Sequence, residues 1–439
     1  MHETQRRSLL RVLFVATCIL PTLGTLLYGF VLRSGSHRAA LATKIGTACG
    51  LKIEIDRVRY PRPGGALLEG VRGLDPETSQ VVVECRSLET LSDGDGLSLK
   101  AAGVQIFADR GARLFDTLER HLRNEAPVVI GRVGIKADEL TWHVGKDSQT
   151  LVDFVGLLGS EDNLRQLAMS FRLPEADDAH PTALRIARDT SVAKPETIVE
   201  LDSGTASLPC AMFGPLVDAV ELFGPEARWN GRLKMRRTAK GWEGLTSSEA
   251  TSVDFRQLAA GCVGDRLWGT GELRIHWAEF GAGRVSRLRG TIIAGPGQIQ
   301  RDLLRAAIVH LGLGNPATMV PEGPPMLFDR LELDFTLDAE GLTIKSRSAE
   351  QHDALLWRND VVYWHAPPAG SQPTANLLRA LAADVEPLVP LAPPTSLLVG
   401  RLPLPSAATR VPTGVGEQPN LWQPRIRLRA ANGDDTQLR

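Results

Sequence analysis

Through Leu51–Asp56 apolar and polar residues alternate strictly. Leu51, Ile53 and Ile55 hold one phase; Lys52, Glu54 and Asp56 hold the other. A period of two puts successive side chains on opposite faces of an extended chain, so this stretch predicts a strand with one apolar face. "PRPGG" breaks it, "ALLEGVRGL" resumes it, and Asp75-Pro76 turns it again. "VVVECRSLETL" and "LSLKAAGVQIF" extend the ladder on either side of "SDGDG". That turn resembles the start of a calcium loop. Leu97, however, occupies the fifth position after Asp93 and no Glu closes the loop, so a plain hairpin turn is expected.

Similar segments follow, among them "GRVGIKADELTWHV", "LRQLAMSFRL", "TALRIARD" and "ETIVELDSG". Strands restart after Trp229 with "GRLKMRR", "GWEGLTSSEA", "LWGTGELRIHWAEF" and "RVSRLRGTIIA". "FDRLELDFTLDAEGLTIKSRS" folds two more around Asp338–Gly341. The pattern predicts a mainly β chain. A sheet with one apolar face must bury that face or offer it to something apolar.

Val12–Leu32, "VLFVATCILPTLGTLLYGFVL", carries no charge. As a helix it spans roughly 31 Å, the thickness of a hydrocarbon core. Arg6, Arg7 and Arg11 precede it, which favours a cytoplasmic N-terminus. The run is longer than a signal-peptide core, and Ala40-Leu41-Ala42 lies well past its end, so an uncleaved signal anchor is expected. Shorter helices are expected where apolar residues recur at helical spacing. These are Leu41, Ile45 and Ala48; Leu114, Phe115, Leu118 and Leu122; Leu216, Val217, Val220 and Phe223; and Ile299 to Leu311.

The expected organisation is a cytoplasmic segment 1–11, a transmembrane anchor 12–32 and a short helix 33–50. An N-terminal β module at 51–205, a helical connection at 206–225 and a C-terminal β module at 226–365 follow. A Pro-rich, partly disordered tail occupies 366–439, with one short helix near Leu377 to Leu381.

The nine histidines are scattered, with no H-E-x-x-H; no G-x-S-x-G, P-loop or full G-x-G-x-x-G occurs. Five cysteines, Cys18, Cys49, Cys85, Cys210 and Cys262, form no C-x-x-C; the four past the anchor could make two disulfides in an oxidising compartment, with no pairing fixed by the sequence, and the default expectation is small buried residues. Neither cofactor nor metal nor enzymatic activity is expected. The formal net charge of −1 provides no global field toward nucleic acid. Arg228, Arg232, Lys234, Arg236, Arg237 and Lys240 crowd one segment, and a solvated strand face outweighs a lipid-headgroup or anionic-polymer site there.

The order of anchor, short helix, "GLKIEIDRVRYPRPGGALLEGVRGLDPET" and a hairpin ladder resembles the start of AsmA-like proteins of the bacterial envelope. "GTGELRIHWAEFGAGRVSRLRGTIIAGPGQIQRDLL" and "FDRLELDFTLDAEGLTIKS" resemble their C-terminal region. The resemblance covers residues 12 to 365 in arrangement. It implies an inner-membrane anchor, a periplasmic bulk and a long antiparallel, curved, groove-like sheet with a few short helices. It also implies a part in phospholipid movement and outer-membrane upkeep, and no catalytic residues. With about eighteen strands at roughly 4.8 Å, the groove would run about 85 Å before twist.

The apolar phase nominates Leu51, Ile53, Ile55, Leu97, Leu99, Leu273, Ile275, Leu331, Leu333, Phe335, Leu342 and Ile344 as lipid-facing. Periodicity alone does not separate an open groove from a sealed β core. A closed-core envelope scaffold acting through protein partners stands beside the lipid reading.

Overall fold

The computed structural model describes residues 12–381, except 63, 94–95, 124, 126–131, 162–163, 177–179, 192–194, 216–221, 239–240, 259–265, 282–283, 315–322, 348–352 and 369. Val12–Leu32 is one helical span, apolar and long enough to cross a membrane, and none of it is buried against the rest of the chain. A π turn at Val15–Ile19 leads into α1 (Leu20–Arg33). Pro21 has no N–H to offer the Thr17 carbonyl, and the wider turn falls at that place. Thr17, Thr22 and Thr25 return their hydroxyls to backbone carbonyls within the helix, so these three need no outside partner. Ser34 then breaks the helix in an extended conformation and caps α2 (Gly35–Cys49) by accepting from His37 N–H.

Among the described residues nineteen strands form one sheet. In chain order β1–β5 are Lys52–Arg62, Gly65–Leu74, Val81–Asp93, Gly96–Phe107 and Arg132–Val144. β6–β10 are Asp147–Glu161, Leu164–Arg172, Thr182–Asp189, Glu196–Asp202 and Leu208–Pro209. β11–β14 are Arg228–Thr238, Gly241–Asp254, Leu267–Gly281 and Arg284–Ile299. β15–β19 are Met326–Phe328, Arg330–Asp338, Gly341–Lys345, Ala354–Arg358 and Val361–His365.

The sheet is a meander. Each strand from β1 to β8 pairs with the next, β9 passes to β11, β11 to β14 pair in turn, and β14 passes to β16. The short strands extend these edges: β10 lies along β11, β15 along β14, and β17 and β18 share β16. β4 and β5 are the one parallel pair among the described strands. Between them α3 (Ala112–Arg123) carries the chain back, as a parallel connection requires.

The ladder is unbroken where the sequence suggested two modules. β9 and β11 pair directly, Leu201 opposite Leu233. Two separate modules would each have left a strand edge unpaired there. Among the described residues the connection includes β10 and a 3₁₀ turn at Cys210–Phe213. The expected helix positions Leu216, Val217 and Val220 lie outside the described residues. So does the Pro-rich tail from 382 onward, whereas its short helix forms as α5 (Thr374–Leu381). Gln372 ties the start of that helix to the sheet through two backbone hydrogen bonds with Leu342, both 2.7 Å.

A crease crosses the first six strands. Leu68 and Val71 of β2 are both buried, although three residues apart they would face opposite ways on a regular strand. The same spacing separates Ala101 from Val104 and Ala137 from Leu140, and the pairing aligns all three pairs: Val71–Cys85–Val104–Leu140 beyond the crease, Leu68–Leu88–Ala101–Ala137 before it. Residues with positive φ supply the rotation: Gly70 (64°), Gly103 (62°) and Asp153 (51°). At Gly103 a Cβ would also sit 3.0 Å from that of Arg86. Gly103→Val is therefore expected to cost roughly 1–3 kcal/mol. Gly134→Ala, with nothing within 4 Å and an ordinary φ, should be near neutral in the same thermal melts. Equal melting points would mean that the crease carries no conformational demand.

Two closed cores flank the sheet's middle. In the first, Leu41, Ala42 and Ile45 of α2 pack toward Ile55, Leu68, Val71 and Val104, joined by Leu173, Leu208 and Met212. In the second, α4 (Arg301–Leu311) lays Leu303, Leu304, Ala307, Ile308 and Leu311 on Leu331, Leu333, Leu355 and Leu356, and α5 adds Ala380.

Candidate functional site

Between the two cores the apolar face continues, met at one edge by the last turn of α3, where the His121 carbonyl accepts from Arg165 and Glu119 pairs with Arg237. Strand pairing strings fourteen residues into one cross-strand row: Ala66, Thr90, Leu99, Ile135, Gly156, Met169, Leu184, Leu201, Leu233, Thr246, Ala278, Leu288, Leu337 and Leu342. Cross-strand neighbours share a face. At about 4.8 Å per strand the row is roughly 62 Å long along the sheet, before twist. A second row runs beside it through Leu97, Val133, Leu158, Leu167, Ile186, Val199, Met235, Gly244, Phe280 and Val285.

The ends of the first row enter the closed cores, but its middle does not. Met169, Leu184, Leu201 and Leu233, with Leu167, Ile186, Val199 and Met235 beside them, belong to neither core and keep partial solvent contact. Aromatic rings lie flat along this floor. Phe280 covers Gly244 and Phe335 covers Gly290, with ring atoms 2.7 and 2.9 Å from where a Cβ would stand. A Cβ at either glycine would meet the ring and, closer still, a backbone carbonyl oxygen, that of Lys234 at 2.5 Å or of Arg274 at 2.6 Å.

The opposite face is a lattice of cross-strand ion pairs. Lys234 sits 2.9 Å from Glu200, which Arg185 also reaches at 3.4 Å; Arg232 pairs with Asp202, Arg236 with Glu243, and Arg274 with Glu249. Arg228 and Arg237 pair with Glu175 and Glu119, so every described member of the basic segment has a carboxylate partner; Lys240 lies outside the described residues. These pairs bear out the solvated-face expectation for Arg232, Lys234 and Arg236. Burial disfavours the Glu200 carboxylate, but Lys234 and Arg185 outweigh it and hold its pKa below the ordinary glutamate value. A depressed pKa contributes stability at neutral pH that is lost as pH falls through the glutamate range. Glu200→Gln should thus lower stability at pH 7 by about 0.5–1 kcal/mol and leave it unchanged near pH 2. An equal loss at both pH values would contradict the pairing.

Polar chemistry elsewhere on the described residues is structural. His143 stacks on Phe107 with ring centres 4.7 Å apart. Thr291 donates to Asp334 at 2.6 Å, and His276 Nε2 lies 2.8 Å from the same hydroxyl. The threonine has one proton and gives it to Asp334, so His276 donates to Thr291. Among the described residues no group of three or more His, Cys, Asp or Glu is placed to hold a metal. Cys85 and Cys210 are buried free thiols as expected, whereas Cys49 is half-buried and Cys18 is exposed on the anchor helix; Cys262 lies outside the described residues. Burial pushes the Cys210 thiol up to about 11 from 9.0. The folded state then holds its proton between those values, so this group's contribution to stability falls as pH rises through them. Cys210 should resist alkylation at pH 8 in the native protein and react once urea unfolds it. Rapid labelling of native Cys210 would contradict its burial.

The twelve nominated residues divide. Leu51 and Ile55 are buried, and Ile53 and Ile55 take part in the core beneath α2. Leu331, Leu333, Leu342 and Ile344 are buried beneath α4 and α5, with Phe335 packed at their margin. Leu97, Leu99, Leu273 and Ile275 remain on the uncovered stretch, and Leu97 is 39% exposed. The floor's centre, Met169, Leu184, Leu201 and Leu233, was not nominated. Its signal was present in the alternation of "LRQLAMSFRL" and "ETIVELDSG", but only strand register shows these residues to be neighbours.

No family model, no curated protein and no solved structure matches the chain.

Proposed function

We propose that this chain is a membrane-anchored, non-enzymatic lipid-binding protein whose acyl-chain site is the uncovered apolar row. One observation carries the reading: a largely apolar floor between two closed cores, backed by an ion-pair lattice, whose central residues Met169, Leu184, Leu201 and Leu233 belong to neither core and keep partial solvent contact. Each methylene laid on such a floor contributes about 0.8 kcal/mol. Along the row, the reach from Met169 on β7 to Ala278 on β13 lies outside both cores and spans six long strands, roughly 24 Å at 4.8 Å per strand. One leaflet's share of a 30 Å hydrocarbon core is about 15 Å, so an acyl chain fits with room to slide. The apolar helix Val12–Leu32 supports a source for that chain, because it holds the sheet next to a bilayer.

On this reading the sheet lies in the periplasm, the anchor sits in the inner membrane, and the protein serves envelope maintenance in the manner of AsmA-like proteins. The two closed cores favour a second role at the sheet's ends, as rigid docking ends for envelope partners.

The test is mass spectrometry of lipids copurifying with residues 34–404, expressed without the anchor and purified without detergent. That range keeps α5, which closes the second core. A reproducible phospholipid near stoichiometric amount is expected. A folded, lipid-free protein would favour the scaffold role instead.

A further inference from the structure

The described residues end where the apolar row ends. Gln372, just before α5, is hydrogen-bonded to Leu342, the row's last residue, and Ala380 near the end of α5 belongs to the second core. Shortly beyond, the sequence reads "PLVPLAPP", Pro387 to Pro394, eight residues without a charge. Its prolines recur every three residues, at Pro387, Pro390 and Pro393. Three residues make one turn of a polyproline II helix, so this spacing lines the prolines up on one face. Leu388, Leu391 and Pro394 fall on a second face, and Val389 and Ala392 on the third. Such a helix is apolar all round and about 25 Å long at 3.1 Å per residue. The reach of the row outside both cores, Met169 to Ala278, is roughly 24 Å. Chain length permits the two to meet. Residues 382–404 in the same conformation would span about 71 Å, and the row from Leu342 back to Met169 is roughly 38 Å.

We infer that Pro387–Pro394 docks along the middle of the apolar row of its own chain as a polyproline II helix, an intramolecular cover for the floor. Proline-rich segments in this conformation dock in grooves lined by aromatic rings. The floor offers such rings at the end nearer α5, where Phe280 and Phe335 lie flat over Gly244 and Gly290. Backbone chemistry selects the occupant as well. A single extended segment laid across the face of a sheet has no strand edge to bond to, so each N–H it buries is left without an acceptor. Proline has no N–H, and four of these eight residues are proline. Their fixed φ also leaves little backbone freedom to lose on docking. The inference goes beyond the lipid-binding reading and stands without it. Where both hold, tail and acyl chain compete for one surface, and lipid enters by displacing the tail.

The test places a benzophenone amino acid at Leu233 in the full chain and irradiates it in isolated membranes, without detergent. Trypsin then releases the start of the tail as one peptide, Ala380–Arg401, because no Lys or Arg lies between Arg379 and Arg401. An adduct of this peptide is expected, with the link falling between Pro387 and Pro394. The same probe at Lys234, on the ion-pair face, should give at least tenfold less. Leu388→Asp/Leu391→Asp should lower the Leu233 adduct at least tenfold, because each new carboxylate would have to lie on apolar surface. Both positions lie beyond α5, which closes the second core, so the sheet of this variant should stay folded. If lipid also uses the floor, lipid adducts at Leu233 should rise in the variant, whose tail no longer competes. Peptide adducts with no lipid adduct would support the docked tail and remove the lipid-binding reading. A peptide adduct that survives the two aspartates, or that forms equally from Leu233 and Lys234, would overturn the inference. Lipid adducts alone at Leu233 would overturn it too. In membranes holding isotope-labelled and unlabelled chains together, links that join one kind to the other would assign the tail to a second copy and also overturn it.

Discussion

Changing Leu184 and Leu233 together to glutamate is expected to leave the sheet folded and to lower bound phospholipid at least tenfold. The two residues flank Leu201 in the middle of the uncovered row and pack into neither core. In the lipid-free protein each new carboxylate reaches water, so the cost is the modest packing of a half-buried leucine. With lipid bound, the same carboxylate would lie beneath an acyl chain, where an unpaired charge costs several kcal/mol. Circular dichroism melts should fall by only a few degrees, while lipid per protein, counted by mass spectrometry, should collapse. Unfolding of this variant would show that the middle of the face is a core. Undiminished lipid would place the ligand elsewhere.

Leu304→Asp should have the opposite character and prevent the C-terminal part of the sheet from folding. Leu304 is fully buried, and the carbonyl of the same residue accepts from Trp364 Nε1 at 3.4 Å, so the helix and β19 meet at this point. An unpaired carboxylate there has no water and no cation within the cluster of aliphatic residues around it. Domains hold only about 5–15 kcal/mol in total, so the loss would be decisive. Leu304→Ala, a milder probe of the same site, should cost about 2–5 kcal/mol. The measurement is soluble yield and protease resistance of the region around β14 to β19. A variant that melts like wild type would mean that α4 does not seal the second core.

Much of the fold was legible because one-sided strands announce themselves by alternation. Leu331, Leu333 and Phe335 predict β16 directly, and Leu303, Leu304 and Ile308 predict α4. Openness of the face was not legible. Leu273 and Leu333 belong to one cross-strand row, joined through Ile292, yet Leu273 stays outside the core and Leu333 lies beneath α4. Their local sequences are alike. The difference is where a helix lands after a non-local excursion, which no local pattern encodes. The crease was hidden for a related reason: Gly70 and Gly103 each look like an ordinary turn residue, and only register shows them acting together. One long sheet is what the alternation and the resemblance imply; the direct pairing of β9 with β11 was not legible because it spans a segment of mixed composition.

The central claim is that lipid lies on one face of one sheet, and site-specific photo-crosslinking of the full chain in living cells tests it most directly. A benzophenone amino acid would replace Leu99, Leu184, Leu233 or Ile275 on the floor, and Arg185 or Lys234 on the ion-pair face. The account predicts lipid adducts at all four floor positions and none at the two opposite ones. Adducts of equal yield on both faces, or protein adducts alone at the floor, would contradict it.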